Sequence, residues 1–186
     1  NGMSVNPAID AAWNDSGTNT IVIDQDVTGP TNAKGTFVDV PCFCAGTLIE
    51  TQNGPVRVED LRASDQILTY DHGYQPIRWI GSVSLSPAQL RANAKLKPIL
   101  IRANTFGNAP STDLITSPQH RIVIDGALVP ATKLTNRKGI RAMRGRQTAL
   151  YYNLLFERHH IIFANDLPVE SLLRESPDHT PLTPVL

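Results

Sequence analysis

The chain has only 2 cysteines in 186 residues, and they stand two positions apart, at Cys42 and Cys44. Such a pair cannot staple distant segments, so a disulfide framework is excluded and a hydrophobic core must hold the fold, which a chain of this length can build. Long apolar runs are missing too: nothing approaches the roughly 18 to 20 continuous apolar residues that cross a bilayer. The first twenty residues have no basic start followed by an apolar core, so a soluble protein without membrane contact is expected. Asn1-Gly2 ahead of Met3 reads as a remnant or an excised fragment. Charge of one sign is absent as well, since 17 Lys and Arg balance 17 Asp and Glu. No strong field draws nucleic acid. The loose basic patch from Arg137 to Arg146 reads as a solvated hairpin. Cys42 and Cys44 could join His120 or His160 around zinc, but the spacing matches no standard structural site, so no metal or other cofactor is expected.

Residues 1–41 are rich in Asn, Asp, Gly and Thr, with one strand-like run at Thr20 to Ile23, and read as an extended or weakly folded arm. From Cys42 onward short apolar runs alternate with turn residues: Thr47 to Glu50, Val56 to Val58, Gln66 to Tyr70, Pro76 to Val83, Ile99 to Ile101, Arg121 to Ile124 and Tyr151 to Phe156. Asn53-Gly54, Asp71-His72-Gly73 and Asp125-Gly126 punctuate them, which predicts an all-β domain of hairpins. Ser86-Pro87-Ala88-Gln89-Leu90-Arg91-Ala92 departs from that texture. A capping Ser, a Pro at the first helical position and good helix formers predict one short surface helix. The Pro-rich stretch 172–186 suits an irregular tail. Trp79 reads as core, whereas the other histidines take structural readings: His72 in a turn, His159 as a packed or exposed strand residue and His179 in the Pro-rich tail.

Cysteine is a weak functional signal alone, but Cys42 begins the string Cys42-Phe43-Cys44-Ala45-Gly46-Thr47-Leu48-Ile49. This resembles the C-x-x-x-G-T start of Hedgehog/intein (Hint) domains. The likeness continues through Val58-Glu59-Asp60-Leu61, Asp65, Leu68-Thr69-Tyr70-Asp71 and Pro76-Ile77-Arg78-Trp79-Ile80-Gly81, which are similar to the opening hairpins of the bacterial group. Thr116-Ser117-Pro118-Gln119-His120 resembles the family's T-x-x-H block, with Ser117 in the hydroxyl position. Tyr152-Asn153-Leu154 and His159 to Asn165 resemble the late strand pair of inteins, where an acidic residue precedes a His by seven positions; here these are Asn153 and His160. In the same register Val169-Glu170-Ser171 stands where inteins finish with His-Asn.

The resemblance implies a horseshoe-like, pseudo-symmetric antiparallel β fold over residues 42–171, flanked by an extein-like arm (1–41) and the tail (172–186). It implies an autoprocessing activity. Cys42 attacks the Pro41-Cys42 peptide bond, Ser117 and His120 act on the scissile amide, and His160 assists. Holding a thiol beside the preceding carbonyl converts a slow encounter into a proximity-driven step. An imidazole near its pKa suits protonation of the leaving nitrogen. Water, a thiol or an amine would then release or transfer the arm from the thioester. Pro41 is expected to slow the reaction, because its crowded carbonyl also accepts density from the preceding one. With Asn153 for a carboxylate and Ser171 for a terminal Asn, cleavage without splicing is expected. Cys44 is a secondary nucleophile candidate, on the same face as Cys42 if the strand is extended. Gly46 is expected to allow close backbone approach. The domain is expected to act as a monomer on its own N-terminal segment, within a larger, secreted or surface-exposed bacterial protein. The competing reading is an inactive Hint module serving as a cap or interaction domain; a cysteine protease acting on other proteins is weaker, since Cys42 enters a hairpin rather than a helix N-terminus.

Overall fold

Turn chemistry sets the hairpins. Asp125 and Gly126 both adopt positive φ, 50° and 78°, the paired left-handed geometry of a two-residue hairpin turn. They join β10 (Arg121–Ile124) to β11 (Ala127–Pro130). Asn165 and Asp166 repeat the device, with φ of 47° and 64°, between β14 (Ile161–Ala164) and β15 (Leu167–Glu170). Asn165 also clasps neighbouring loops: its Oδ1 accepts from Leu48 N–H at 2.7 Å and its Nδ2 donates to the Asp113 carbonyl at 3.1 Å. The computed structural model describes residues 41–172 together with the backbone of Thr20–Val22.

Two antiparallel sheets result. The first contains, in order, β1 (Thr20–Val22), β7 (Trp79–Leu85), β13 (Ala149–Leu155), β2 (Phe43–Cys44), β9 (Leu114–Thr116), β8 (Ile99–Ile101) and β12 (Ile140–Ala142). The second runs β11, β10, β15, β14, then β3 (Leu48–Thr51), β5 (Gln66–Thr69) and β6 (Gly73–Pro76), with β4 (Gly54–Arg57) paired to β3. Both contribute to one core: Phe43, Ile99, Ile101, Leu114 and Leu154 from the first meet Ile49, Ile67, Ile122, Ile162 and Val169 from the second. Each such aliphatic or aromatic side chain contributes about 1.5–3 kcal/mol by leaving water.

The long run expected from Pro76 to Val83 is two strands. Ile77 N–H donates to the Asp65 carbonyl and Arg78 N–H to that of Leu155, so these residues carry the chain from the second sheet to the first. The basic patch is not a hairpin either: β12 pairs only with β8, and the Arg137 guanidinium lies 5.9 Å from the centre of the Phe106 ring. The expected helix is present as α1 (Pro87–Ala92). Ser86 Oγ accepts from Gln89 N–H while Gln89 Oε1 accepts from Ser86 N–H, a complete capping box. Leu90 is the residue it buries, in a smaller cluster with Cys42, Cys44, Val83, Leu85, Ala149 and Tyr151.

β1 comes from the segment read as an arm, and it lies parallel to β7 with Thr20 opposite Ile80 and Val22 opposite Ser82. The rest of the arm, and the tail beyond Leu172, lie outside the described residues.

Within β7, Trp79 folds over Gly81 two residues on, and a methyl group at Gly81 would overlap the indole ring. Gly81→Ala should displace Trp79 and destabilise the domain by about 1–3 kcal/mol. Thermal unfolding checks this; an unchanged Tm would show that the ring is free to move aside.

Candidate active site

Cys42 leads into β2, where strand alternation turns Phe43 into the main core and both cysteines to the opposite face. The shared face expected for Cys42 and Cys44 is therefore observed. β13 pairs with β2 in a register that sets Tyr151 opposite Cys44 and Tyr152 opposite Phe43, so the next residue, Asn153, comes to Cys42. Gly46 follows in the turn after β2 with φ of 88°. No atom lies within 4 Å of a side chain built there, so the left-handed backbone, and not close approach, is what calls for glycine.

The backbone of Cys42 is gripped on both sides. Its N–H, the nitrogen of the Pro41-Cys42 bond, donates to Ser117 Oγ at 3.0 Å. Its carbonyl accepts from Ser117 N–H at 2.9 Å and faces His120 Nδ1 at 3.0 Å. Ser117 and His120 can do this together because their turn closes on itself, His120 N–H donating to the Ser117 carbonyl. Phe43 packs 4.4 Å from the imidazole, centre to centre, and the ring is fully buried. The hydroxyl, then, rests on the Cys42 nitrogen, while the imidazole rests on the carbonyl of the same residue.

Burial pushes the Cys42 thiol up to about 12, and hydrogen bonds from the Ser117 and Asn153 side chains oppose the rise. Cys44 is likewise raised to about 12 by burial, with Arg146 opposing. The site at rest thus holds a thiol rather than a thiolate. Burial also lowers His120, against the pull of Glu170 and of two carbonyl partners.

Glu170 is the residue that sequence reasoning missed, having registered there only the lack of a His. Its carbonyl faces His120 Nε2 at 3.1 Å, and its carboxylate, 3% exposed, accepts from Arg121 N–H at 2.9 Å. No signal in the sequence could have found it, since Glu170 stands 50 residues from His120 and only the pairing of β10 with β15 brings them together. Ser171 beside it is buried, its Oγ accepting from His160 N–H at 2.9 Å and its N–H donating to the His160 carbonyl.

Of the residues singled out in the sequence, Cys42, Ser117, His120 and Asn153 come together. The His160 ring instead meets His72 at 5.2 Å and Phe156 at 5.7 Å, edge to face, and burial with neighbouring positive groups lowers its pKa. It reaches the site only through the backbone pairing with Ser171. Among the described residues no group of three or more His, Cys, Asp or Glu side chains is arranged to hold a metal ion. No described helix is long and apolar enough to cross a membrane.

The profile of the Hint domain matches residues 41–176. The chain belongs to the Hint domain family. Solved structures agree on the fold. The Hint chain superposes on a bacterial intein-like domain from Clostridium thermocellum with a TM-score of 0.53 at 17% identity, covering 70% of this chain and 97% of that one. It superposes on a DnaB intein from Synechocystis sp. PCC 6803 with a TM-score of 0.50 at 9% identity, covering 70% and 98%. A mini-intein variant of the same DnaB type gives 0.52 at 10% identity, covering 72% and 96%. No curated protein matches the chain. Membership in this family supports self-processing as the general class of activity.

The buried groups make stability depend on pH at both ends. His120 and His160 lie below the ordinary imidazole value of 6.5. Below 6.5 the unfolded chain takes up protons that the folded chain refuses, so stability falls on acidification. Cys42 and Cys44 are raised from 9.0 to about 12. Above 9.0 the unfolded chain releases protons that the folded chain keeps, so stability falls again as pH rises toward 12. Urea unfolding across pH should give a maximum between these limits, and replacing both cysteines with Ala should make the alkaline side shallower and leave the acid side unchanged, the remaining alkaline slope coming from Tyr151 and Tyr152, which burial also raises.

Proposed function

We propose that this Hint domain cleaves its own chain at Pro41-Cys42 through a thioester, and stops there without splicing. The observation that carries the reading is the grip on Cys42: one hydroxyl is hydrogen-bonded to the leaving nitrogen and to the nucleophilic sulfur. Ser117 in this way holds the thiol beside the bond it attacks, and Asn153 steadies the sulfur from the neighbouring strand. Proximity of this kind supplies much of the barrier reduction.

In the step itself the Cys42 Sγ bonds to the Pro41 carbonyl carbon and the carbon–nitrogen bond breaks. The thiol proton is released, and Cys42 N departs as an amine that must gain one. His120, already against the carbonyl of Cys42, is the acid within reach, and the proton lost by sulfur restores it. The resting thiol near 12 and the lowered imidazole both make this slow, and the stiff Pro41 carbonyl slows it further. Water, a thiol or an amine then takes the acyl group, freeing residues 1–41 or attaching them elsewhere. Splicing lacks its last reactant. Ser171 has a hydroxyl where a terminal side-chain amide is needed, and that hydroxyl is engaged by His160 N–H. His160 supports the strand pair that carries Glu170 and Ser171. The domain boundaries follow from this chemistry, with 42–171 as the processing unit, 1–41 as its substrate and 172–186 as a tail.

Incubation with a small thiol, followed by intact mass, should show loss of residues 1–41, and Cys42→Ala should abolish it. His120→Ala should slow cleavage by about 10²- to 10⁴-fold, the range for a lost general acid. Ser117→Ala should cost less, on the order of fivefold to a hundredfold, as for the two net hydrogen bonds that its hydroxyl makes. Equal rates for the parent and His120→Ala would remove the imidazole from the mechanism. No cleavage in any sample would favour an inactive Hint module acting as a cap or interaction domain.

A further inference from the structure

The His120 ring stands between two carbonyl oxygens, Cys42 O at 3.0 Å from Nδ1 and Glu170 O at 3.1 Å from Nε2. A carbonyl only accepts, whereas a neutral imidazole carries one proton. Either tautomer therefore leaves one nitrogen lone pair facing an oxygen, and only the imidazolium satisfies both contacts. Burial works in the opposite direction, because a charged ring in the core is costly. What stands nearby decides how far the acid form survives.

The groups that face His120 are few. Cys42 lies on one side, as a neutral thiol. Arg121 follows in β10, half-exposed at its side chain, with its guanidinium Nη1 3.6 Å from Glu170 Oε2. Glu170 comes from β15, its side chain 4% exposed. His159 abuts the same carboxylate, Nε2 to Oε2 at 3.7 Å, with neither ring nitrogen hydrogen-bonded in the structure. Among the described residues that face the ring, Glu170 is thus the one with a buried carboxylate, and its main-chain and side-chain oxygens hold His120 and Arg121 at adjacent positions.

We propose that Glu170 is a positioning residue for the processing reaction: it clamps the His120-Arg121 peptide and supplies the negative charge that lets His120 carry the second proton it must deliver. The inference rests on the cleavage reading for its purpose, but not for its test. Where inteins place a histidine at this register, the present chain has a carboxylate acting on the histidine of the earlier block. Burial lowers His120 and the Glu170 charge raises it, so removing that charge should lower it further. The rate limb that depends on the imidazolium should then move to lower pH.

The test uses the full chain carrying Cys42→Ala, which keeps the Cys42 carbonyl and cannot cleave. Labelled histidine nitrogens are followed by NMR across pH, with His120→Gln identifying the signals. Adding Glu170→Gln, which keeps the shape and can still accept from Arg121 N–H, should lower the His120 midpoint by about one pH unit, as for loss of a nearby opposite charge. Glu170→Asp, which keeps the charge, should restore part of the shift. In the cleaving chain the rate limb should move in the same direction. A native spectrum with an unmoved His120 midpoint would overturn the proposal. If Glu170→Gln does not fold, Glu170→Asp alone, which draws the charge back by one methylene, should move the His120 midpoint in the same direction by a smaller amount, and an unmoved midpoint there would equally overturn the role. A shifted midpoint in the Cys42→Ala chain, together with a parent chain that keeps Cys42 and still never cleaves, would sustain the clamp and sink the cleavage reading, so the two failures are distinct.

Discussion

Everything at this site depends on how the Cys42 peptide unit is hydrogen-bonded. Its nitrogen, its carbonyl and its sulfur each have a partner in the short turn from Ser117 to His120. That turn lies 75 residues away in sequence, so the contact exists only if both sheets have formed and β2 has taken its place between β9 and β13. The surroundings of Cys42 are therefore assembled by the whole fold. Any change that loosens the common core should be felt at the Pro41-Cys42 bond.

The same burial that builds the site restrains it. A thiol and an imidazole withdrawn from water both favour their neutral forms, which protects the thiol from stray reaction but weakens both nucleophile and acid. Ser117, Asn153 and Glu170 act against that restraint, two on the sulfur and one on the ring. On the proposed reading the domain would react once with its own chain and have no need of high turnover, so slow chemistry is compatible with it.

Much of the architecture could be read from residue pattern. Asp125-Gly126 marked a hairpin because two successive positive φ values demand such residues, and Ser86-Pro87 marked the helix through its cap. That Cys42 meets the Ser117-His120 block was legible because motif and order reinforced one another. What could not be read was side-chain direction in three dimensions. Periodicity joins Pro76 to Val83 without revealing that Ile77 and Arg78 cross between sheets. The resemblance to the late strand pair of inteins put His160 with Cys42, whereas packing turns its ring toward His72 and Phe156. Glu170 looked like a missing histidine, because nothing local in the sequence says that its carboxylate is buried against Arg121 and beside His120.

The central claim is that Pro41 becomes joined to the Cys42 sulfur, and neutral hydroxylamine tests it most directly. Hydroxylamine nitrogen attacks a thioester carbonyl, the carbon–sulfur bond breaks, and the thiol is returned. Intact-mass analysis of the treated chain should find residues 1–41 ending in a hydroxamate at Pro41, together with a second piece beginning at Cys42 with its thiol free. A chain that stays whole, or one cut at any other bond, would contradict the assignment of Cys42 as the nucleophile and of Pro41-Cys42 as its target.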